Sequence, residues 1–346
     1  MSLSEQVAAV RGSVTVSTGE HLVCARVAGG DAHELLDRVS PRQLFVRSGQ
    51  MLHTLLLDDA AKPLADVYIC CDEDDYLVVA EGMTGGELAA YLARHAQGLA
   101  VEIADLAQSH AFLCVDGPYA WELIADITTP DIIGVPYLSF FRDDRFVCFR
   151  AGKTGEYGYD LLLPRDRVGA TRDQLLSTGI RLDVRAAERD ALDLAALEAG
   201  FFNVRKQVRP GLTPVELQLQ WRVSAGRSYP GSAVLEQHRK SPRGRVAMIA
   251  SVRELPIDAA IELGGERVGS VLDSGWSHTR DEAIGIALLD VAVSHAGLRG
   301  FTCGDIAVRT ISSPAINNRS LYVDPQRHSF AARDKVDFPP LVRPSW

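Results

Sequence analysis

Two apolar runs, residues 52–57 and 64–71, flank the polar hexapeptide Asp58-Asp59-Ala60-Ala61-Lys62-Pro63. Short apolar runs bounded by a polar, proline-containing segment read as two strands joined by a tight turn. That pair places a sheet near the front of the chain, and its surroundings set the fold class. Residues 21–28 alternate polar and apolar as a half-buried strand does, Asp31 opens a helix through Asp37, residues 76–80 give another strand, and 86–96 a helix. The order then repeats with a strand at 111–116, a helix at 118–126, strands at 146–151 and 158–163, and a strongly helical run at 188–199 that Gly200 stops. Two β-α-β-β-like units in succession predict an α+β protein with mixed, mostly antiparallel sheets. Ahead of them a short helix over 4–11 takes Ser4 as its cap.

From Arg243 the texture changes. Short strands at 245–253, 259–263, 268–273 and 284–290 alternate with Gly, Pro and Asp turns, the pattern of a small β-barrel. The polar, Gly- and Pro-rich stretch 225–242 marks the boundary, so the chain divides into residues 1–240, a barrel at 241–325 and a surface-wrapping tail at 326–346.

With 346 residues the chain buries a large core without a metal or disulfide staple. Its net charge of −9 argues against a nucleic-acid binder, whose affinity comes from Lys and Arg on phosphates, although Arg205, Lys206 and Arg209 fall close together. The six cysteines form no C-x-x-C pair and most lie in apolar runs, which reads as buried free thiols in a reducing cytoplasm. No apolar run reaches the ~18 residues of a membrane span. No zinc-ligand spacing, no G-x-S-x-G elbow and no G-x-G-x-x-G after a strand occurs, so metal, flavin and nicotinamide are not indicated.

Three stretches could carry chemistry. In the first, Asp66 is a lone carboxylate among apolar residues on a strand edge, suited to orient or accept a proton from an amine; the plainer reading is a turn-flanking Asp bonded to backbone. The second runs from Phe149 to Asp160 and holds Gly152, Gly155 and Gly158 around Glu156. Glycines permit close approach to a flat ligand, and a glutamate matches the paired donors of an amino-pyrimidinone edge; the plainer reading is a hairpin with an exposed Glu. A phosphate-loop reading fails on spacing and because a strand follows. The third joins Leu197–Phe202 to Leu212–Glu216 and Trp221, and core packing accounts for Phe201, Phe202 and Trp221 taken separately.

Taken in order, these stretches resemble the glycine-cleavage T-protein (aminomethyltransferase) family. Gln6–Arg11 resembles its E-H-x-A-V-R helix, and Gly49–Tyr68 its G-x-x-x-Y-x-x-M-L-N-x-x-G-G-x-x-D-D-L-I-V-Y stretch. Arg150–Asp160 resembles R-T-G-Y-T-G-E-D-G-Y-E, Ala191–Gly200 resembles A-L-x-x-L-R-L-E-x-G, and Gly269–Ala287 the barrel motif G-x-V-T-S-G-x-x-S-P followed by I-A-L. The resemblance implies the aminomethyltransferase folate-binding fold: two ferredoxin-like α+β subdomains and a C-terminal barrel around a central channel. It implies tetrahydrofolate as cofactor and transfer of a methyl or methylene group. It implies Asp66 as the catalytic carboxylate, Glu156 as the pteridine anchor with Tyr159 packed behind, Arg150, Arg189 and Arg205 toward the folate, and His53, Tyr68 and Trp221 toward the substrate.

The departures redirect that expectation. The family's Asp-Asp pair is Ala65-Asp66, the Arg of L-R-L-E is Ala196, Asp116 stands where many relatives have Gln, and the family's N-terminal stretch has no counterpart ahead of Met1. They favour a relative acting on a free small-molecule donor or acceptor over a subunit that docks a lipoyl carrier. Two further readings stand beside it: the same fold with folate use lost and the channel repurposed, and a folate-binding regulatory protein without turnover.

Overall fold

The computed structural model describes residues 1–343. Helix α1 (Leu3–Gly12) leads into strand β1 (Thr15–Thr18). Its cap is Ser2, not Ser4: the Ser2 hydroxyl accepts from the Glu5 N–H while the Glu5 carboxylate returns to the Ser2 N–H, a reciprocal capping box. The first unit then runs β2 (Leu22–Ala28), α2 (Ala32–Val39), β3 (Met51–Leu57), β4 (Pro63–Asp72), β5 (Asp75–Glu81), α3 (Gly85–His95) and β6 (Glu102–Asp105). Its five strands form an antiparallel sheet in the order β3-β4-β5-β2-β6. The β3–β4 turn holds because Asp58 Oδ1 accepts from the N–H groups of Ala60 and Lys62.

The second unit runs β7 (His110–Asp116), α4 (Ala120–Ile127), β8 (Phe140–Arg142), β9 (Val147–Phe149), β10 (Gly158–Pro164), α5 (Val168–Thr178) and β11 (Arg185–Ala186). Its sheet has the order β11-β1-β7-β10-β9-β8, and every pairing is antiparallel except β1 with β11. Strand β1, which precedes the first unit in the chain, thus pairs with β7 in the second, so the two units are interlocked and not simply consecutive.

Helices α6 (Arg189–Ala199), α7 (Val204–Gln207) and α8 (Ser232–Lys240) follow. Gly200 ends α6 at φ 73°, a left-handed conformation that glycine adopts without strain. The barrel comprises β12 (Arg245–Ser251), β13 (Ala260–Leu263), β14 (Glu266–Ser277), β15 (Glu282–Leu289), β16 (Phe301–Cys303) and β17 (Ile306–Ile311), closed in the order β12-β15-β14-β13-β16-β17. The tail packs back on the body: Asn317 N–H donates to Leu341 O, and Val323 and Phe330 enter the core of the second sheet.

The barrel and the first sheet each have a core of their own, but a further cluster crosses between them. That cluster joins Val7 of α1, Leu55 and Leu57 of β3, Leu194 and Leu197 of α6, and Met248, Leu272, Ile284 and Ile311 of the barrel. All six cysteines are buried and free. Among the described residues no helix is long and apolar enough to cross a membrane.

Candidate active site

The register of one hairpin sets the electrostatics of the site. Asp72 opposes Asp75 across the turn between β4 and β5, and counting back along the pair brings Asp66 directly opposite Glu81. Like charges directly opposed across strands are destabilising, and both carboxylates are buried at 3% and 4% exposure. The conflict is resolved from the second unit. Lys153, in the loop between β9 and β10, sets its Nζ 2.7 Å from Asp66 Oδ2 and pairs it also with Glu81 Oε2. Asp66 Oδ1 further accepts from Arg222 Nη1 at 2.6 Å and contacts His53 Nε2 at 2.7 Å, and Glu81 accepts from Arg205 Nε at 2.7 Å. Arg205 continues to Asp193, which Lys206 also reaches.

Burial alone would raise the Asp66 pKa, but Lys153, His53 and Arg222 outweigh it and hold the carboxyl well below its usual range. Burial lowers the His53 pKa despite Asp66, so the ring is neutral near pH 7 and its Nε2–H is the donor to the carboxylate. Lys153 is shifted the other way: burial opposes its charge, yet Asp66 and Glu81 raise its pKa and keep the ammonium.

A cleft opens between the two sheets and α6. It spans ≈ 550 Å³ counted to its open mouth, with an inner hollow of ≈ 50 Å³. Tyr68, Glu81, Lys153 and Arg205 line one part; Cys114, Asp116 and Asp160 line another; Leu192, Ala196 and Phe202 supply apolar wall. Asp116 and Asp160 share a face because Asp160 pairs with Cys114, and Gly158 with Asp116, in the β7–β10 register. Burial, then the charge of Asp160, pushes the Asp116 carboxyl up to about 7. Burial pushes Asp160 up to about 6, partly offset by Cys114 and Lys153. These are carboxyls that carry a proton part of the time at neutral pH, able to donate as well as accept. Among the described residues, Tyr68 Oη and His21 Nδ1, both on the cleft wall, are buried without a hydrogen-bond partner.

Several expected site residues lie elsewhere. Gly155 turns at φ 83°, and the following Glu156 has both oxygens occupied: Oε1 by Arg11 Nη1 and the Arg319 N–H, Oε2 by the Ser320 N–H and hydroxyl. Glu156 is a clamp between α1 and the tail, not the wall of a cleft shared with Asp66. Asp66 itself stands behind Lys153. Tyr159 belongs to the core of the second sheet, and the Arg150 guanidinium stacks on Tyr157 and Tyr159 at 4.5 and 4.8 Å from the ring centres. Arg189 is exposed at the start of α6. The structure brings together Asp66, His53, Tyr68 and Arg205. Trp221 is not core: it is 60% exposed, with its ring edge-on to His53 at 5.9 Å and the Arg222 guanidinium 4.6 Å over its face. Trp221 and Arg222 line a second hollow of ≈ 300 Å³ that Phe202 separates from the first.

The unanticipated members are Lys153, Glu81, Asp116, Asp160, Asp193, Arg222 and His21. A signal existed for Glu81, since a two-residue turn at Glu73-Asp74 fixes the register that sets it against Asp66. No local signal existed for Arg222, which reaches Asp66 across 156 positions.

Residues 1–227 match the family model described as the GCVT N-terminal domain. The chain belongs to this family. An aminomethyltransferase of Frankia alni (strain DSM 45986 / CECT 9034 / ACN14a) is 30% identical over 301 residues, covering 83% of this chain and 80% of that protein. Another from Thermotoga sp. (strain RQ2) is 24% identical over 300 residues, covering 84% and 82%. The fold is also that of the glycine cleavage system aminomethyltransferase T from Bartonella henselae, with a TM-score of 0.80 at 23% identity over 90% of this chain and 89% of that one. The α+β architecture with a closed six-stranded barrel is therefore the family fold. These family relationships give no support to ruling out a carrier-protein partner.

Proposed function

We propose that this chain transfers a one-carbon unit between tetrahydrofolate and a free small molecule. The family relationship supports the reading, and the observation that carries it is the pair Asp116 and Asp160 in one cleft with the Asp66–Lys153–Glu81 network. The donor set suits a pterin: two partly protonated carboxyls meet a ring edge that mixes donors and acceptors, and Tyr68 Oη and His21 Nδ1 remain to be satisfied. The hollow of ≈ 50 Å³ is smaller than a bicyclic ring needs, so binding requires the cleft wall to open.

Tetrahydrofolate, when bound, supplies the nitrogen that carries the one-carbon unit. Asp160 and Asp116 would hold the ring edge. Arg205, anchored by Glu81 and Asp193, keeps a fixed cation at the rim of the cleft. His53 and Arg222 fix Asp66 as an anion aimed at Lys153, a preorganised field that favours charge developing beside it. Leu192, Ala196 and Phe202 exclude water from one wall.

Calorimetric titration with tetrahydrofolate tests the reading. A saturable micromolar complex is expected, with Asp160→Ala weakening it about tenfold or more through loss of a charge-assisted pair. Asp66→Asn is expected to keep affinity and slow transfer by about 100-fold, the usual scale for one preorganised electrostatic group. The narrow inner hollow favours a second reading, in which folate use is lost and the cleft takes a smaller ligand; no saturation at millimolar tetrahydrofolate would select it.

A further inference from the structure

A primary ammonium is already built into the wall of the cleft. Lys153 lines the cleft, and its Nζ bridges Asp66 and Glu81, two carboxylates that the strand register forces face to face. Asp66 is completed by His53 and Arg222, and Glu81 by Arg205. Asp193 is held by Arg205, Lys206 and Asn203. Each of these three carboxylates therefore has a cation of its own. A second ammonium brought beside Lys153 finds none of these three uncommitted; the other two carboxyls lining the cleft, Asp116 and Asp160, are the ones the one-carbon reading gives to the ring edge. The incoming ammonium must either sit beside the Lys153 charge or displace it, and both are unfavourable in a buried site.

We propose that Lys153 determines the specificity of the cleft: its ammonium takes the position a substrate ammonium would need, so the small molecule accepted here is uncharged at its reacting heteroatom, an ether or thioether in place of an amine. The reacting role of that heteroatom rests on the one-carbon reading, but the discrimination by charge belongs to the cleft itself. The one N–H of the ammonium not directed at Asp66 or Glu81 can donate to an uncharged oxygen or sulfur, whereas an alkylammonium has no lone pair to accept it. Removing the Lys153 charge leaves Asp66 and Glu81 opposed without their shared cation, and a small ammonium then becomes the preferred guest.

The test uses a matched pair, methoxyacetate and N-methylglycine, which share a methyl group, a carboxylate and nearly the same shape but differ in charge at the central atom. Affinities for the full chain are measured by calorimetry near pH 7.5, alongside tetrahydrofolate titrations of the same preparations. The native protein is expected to bind methoxyacetate at least tenfold more tightly than N-methylglycine. Lys153→Met, which keeps most of the stem, is expected to reverse that order, and Lys153→Arg to retain it. Should Lys153→Met fold poorly, methylammonium is expected to raise its melting temperature while leaving the native protein unmoved. Equal affinities in the native protein, an unchanged ratio in Lys153→Met, or no binding of either ligand at high millimolar concentration overturns the proposal. Failure of tetrahydrofolate to bind, with the charge preference intact, overturns only the one-carbon reading.

Discussion

At Asp116, burial outweighs the hydrogen bond from Thr154 and lifts the carboxyl to about 7 from an ordinary 3.8. A carboxyl raised on folding adds stability that is complete below its unfolded value and disappears as pH climbs through its folded value. Native stability relative to Asp116→Asn is therefore expected to fall between about pH 4 and pH 8, by at most ~4 kcal/mol at ~1.4 kcal/mol per unit. Denaturant melts of both proteins across that window check it, and a flat difference contradicts the assignment. Asp160 titrates in the same range, so the two carboxyls share the transition. At this scale Asp66 was legible, because a lone acid inside an apolar strand is conspicuous. Glu156 and Asp160 stand in one glycine-rich stretch, and the sequence carries no local sign that Asp160 lines the cleft while Glu156 turns toward Arg11 and the tail.

Among the elements, α1 and α6 are joined by a buried ion cluster. Arg11 donates to Glu198 Oε2, Glu156 Oε1, Thr154 O and Ala195 O, and Glu198 Oε1 accepts from Ser277 of β14. Breaking a buried pair by removing one partner costs about 3–5 kcal/mol, because the remaining charge has nowhere to go. Glu156→Ala is expected to lose stability on that scale while tetrahydrofolate affinity per folded molecule is unchanged; thermal melts and titrations of the folded fraction separate the two effects. Most elements announced themselves through apolar periodicity or a capping residue. Helix α5 did not, because Leu175 is its one buried side chain and its remaining residues give no apolar stripe. Strands β1 and β6 are four residues each, too short for an alternation to stand out.

Over the whole molecule, the barrel keeps its own interior, around Ile261, Val271 and Phe301, but packs an outer apolar face against α1, β3 and α6. Cutting near residue 240 would expose that shared surface, so the fragment 1–240 is expected to aggregate or to melt without a sharp transition. The full chain is expected to show one cooperative calorimetric peak in place of separate ones for barrel and body. A barrel was foreseeable from the turn-punctuated strands after Arg243, but its dependence on the rest was not, because contacts between distant segments leave no periodic trace.

Strand β1 gives the interlocked sheets a consequence for synthesis. Thr15 finds its partner Asp116 only after the intervening hundred or so residues, the whole first sheet among them, have left the ribosome. Until then a short edge waits unsatisfied beside a nearly finished sheet, and the second sheet cannot close without reaching back to it. The nascent chain is thus most exposed to mispairing in the interval between making its two halves.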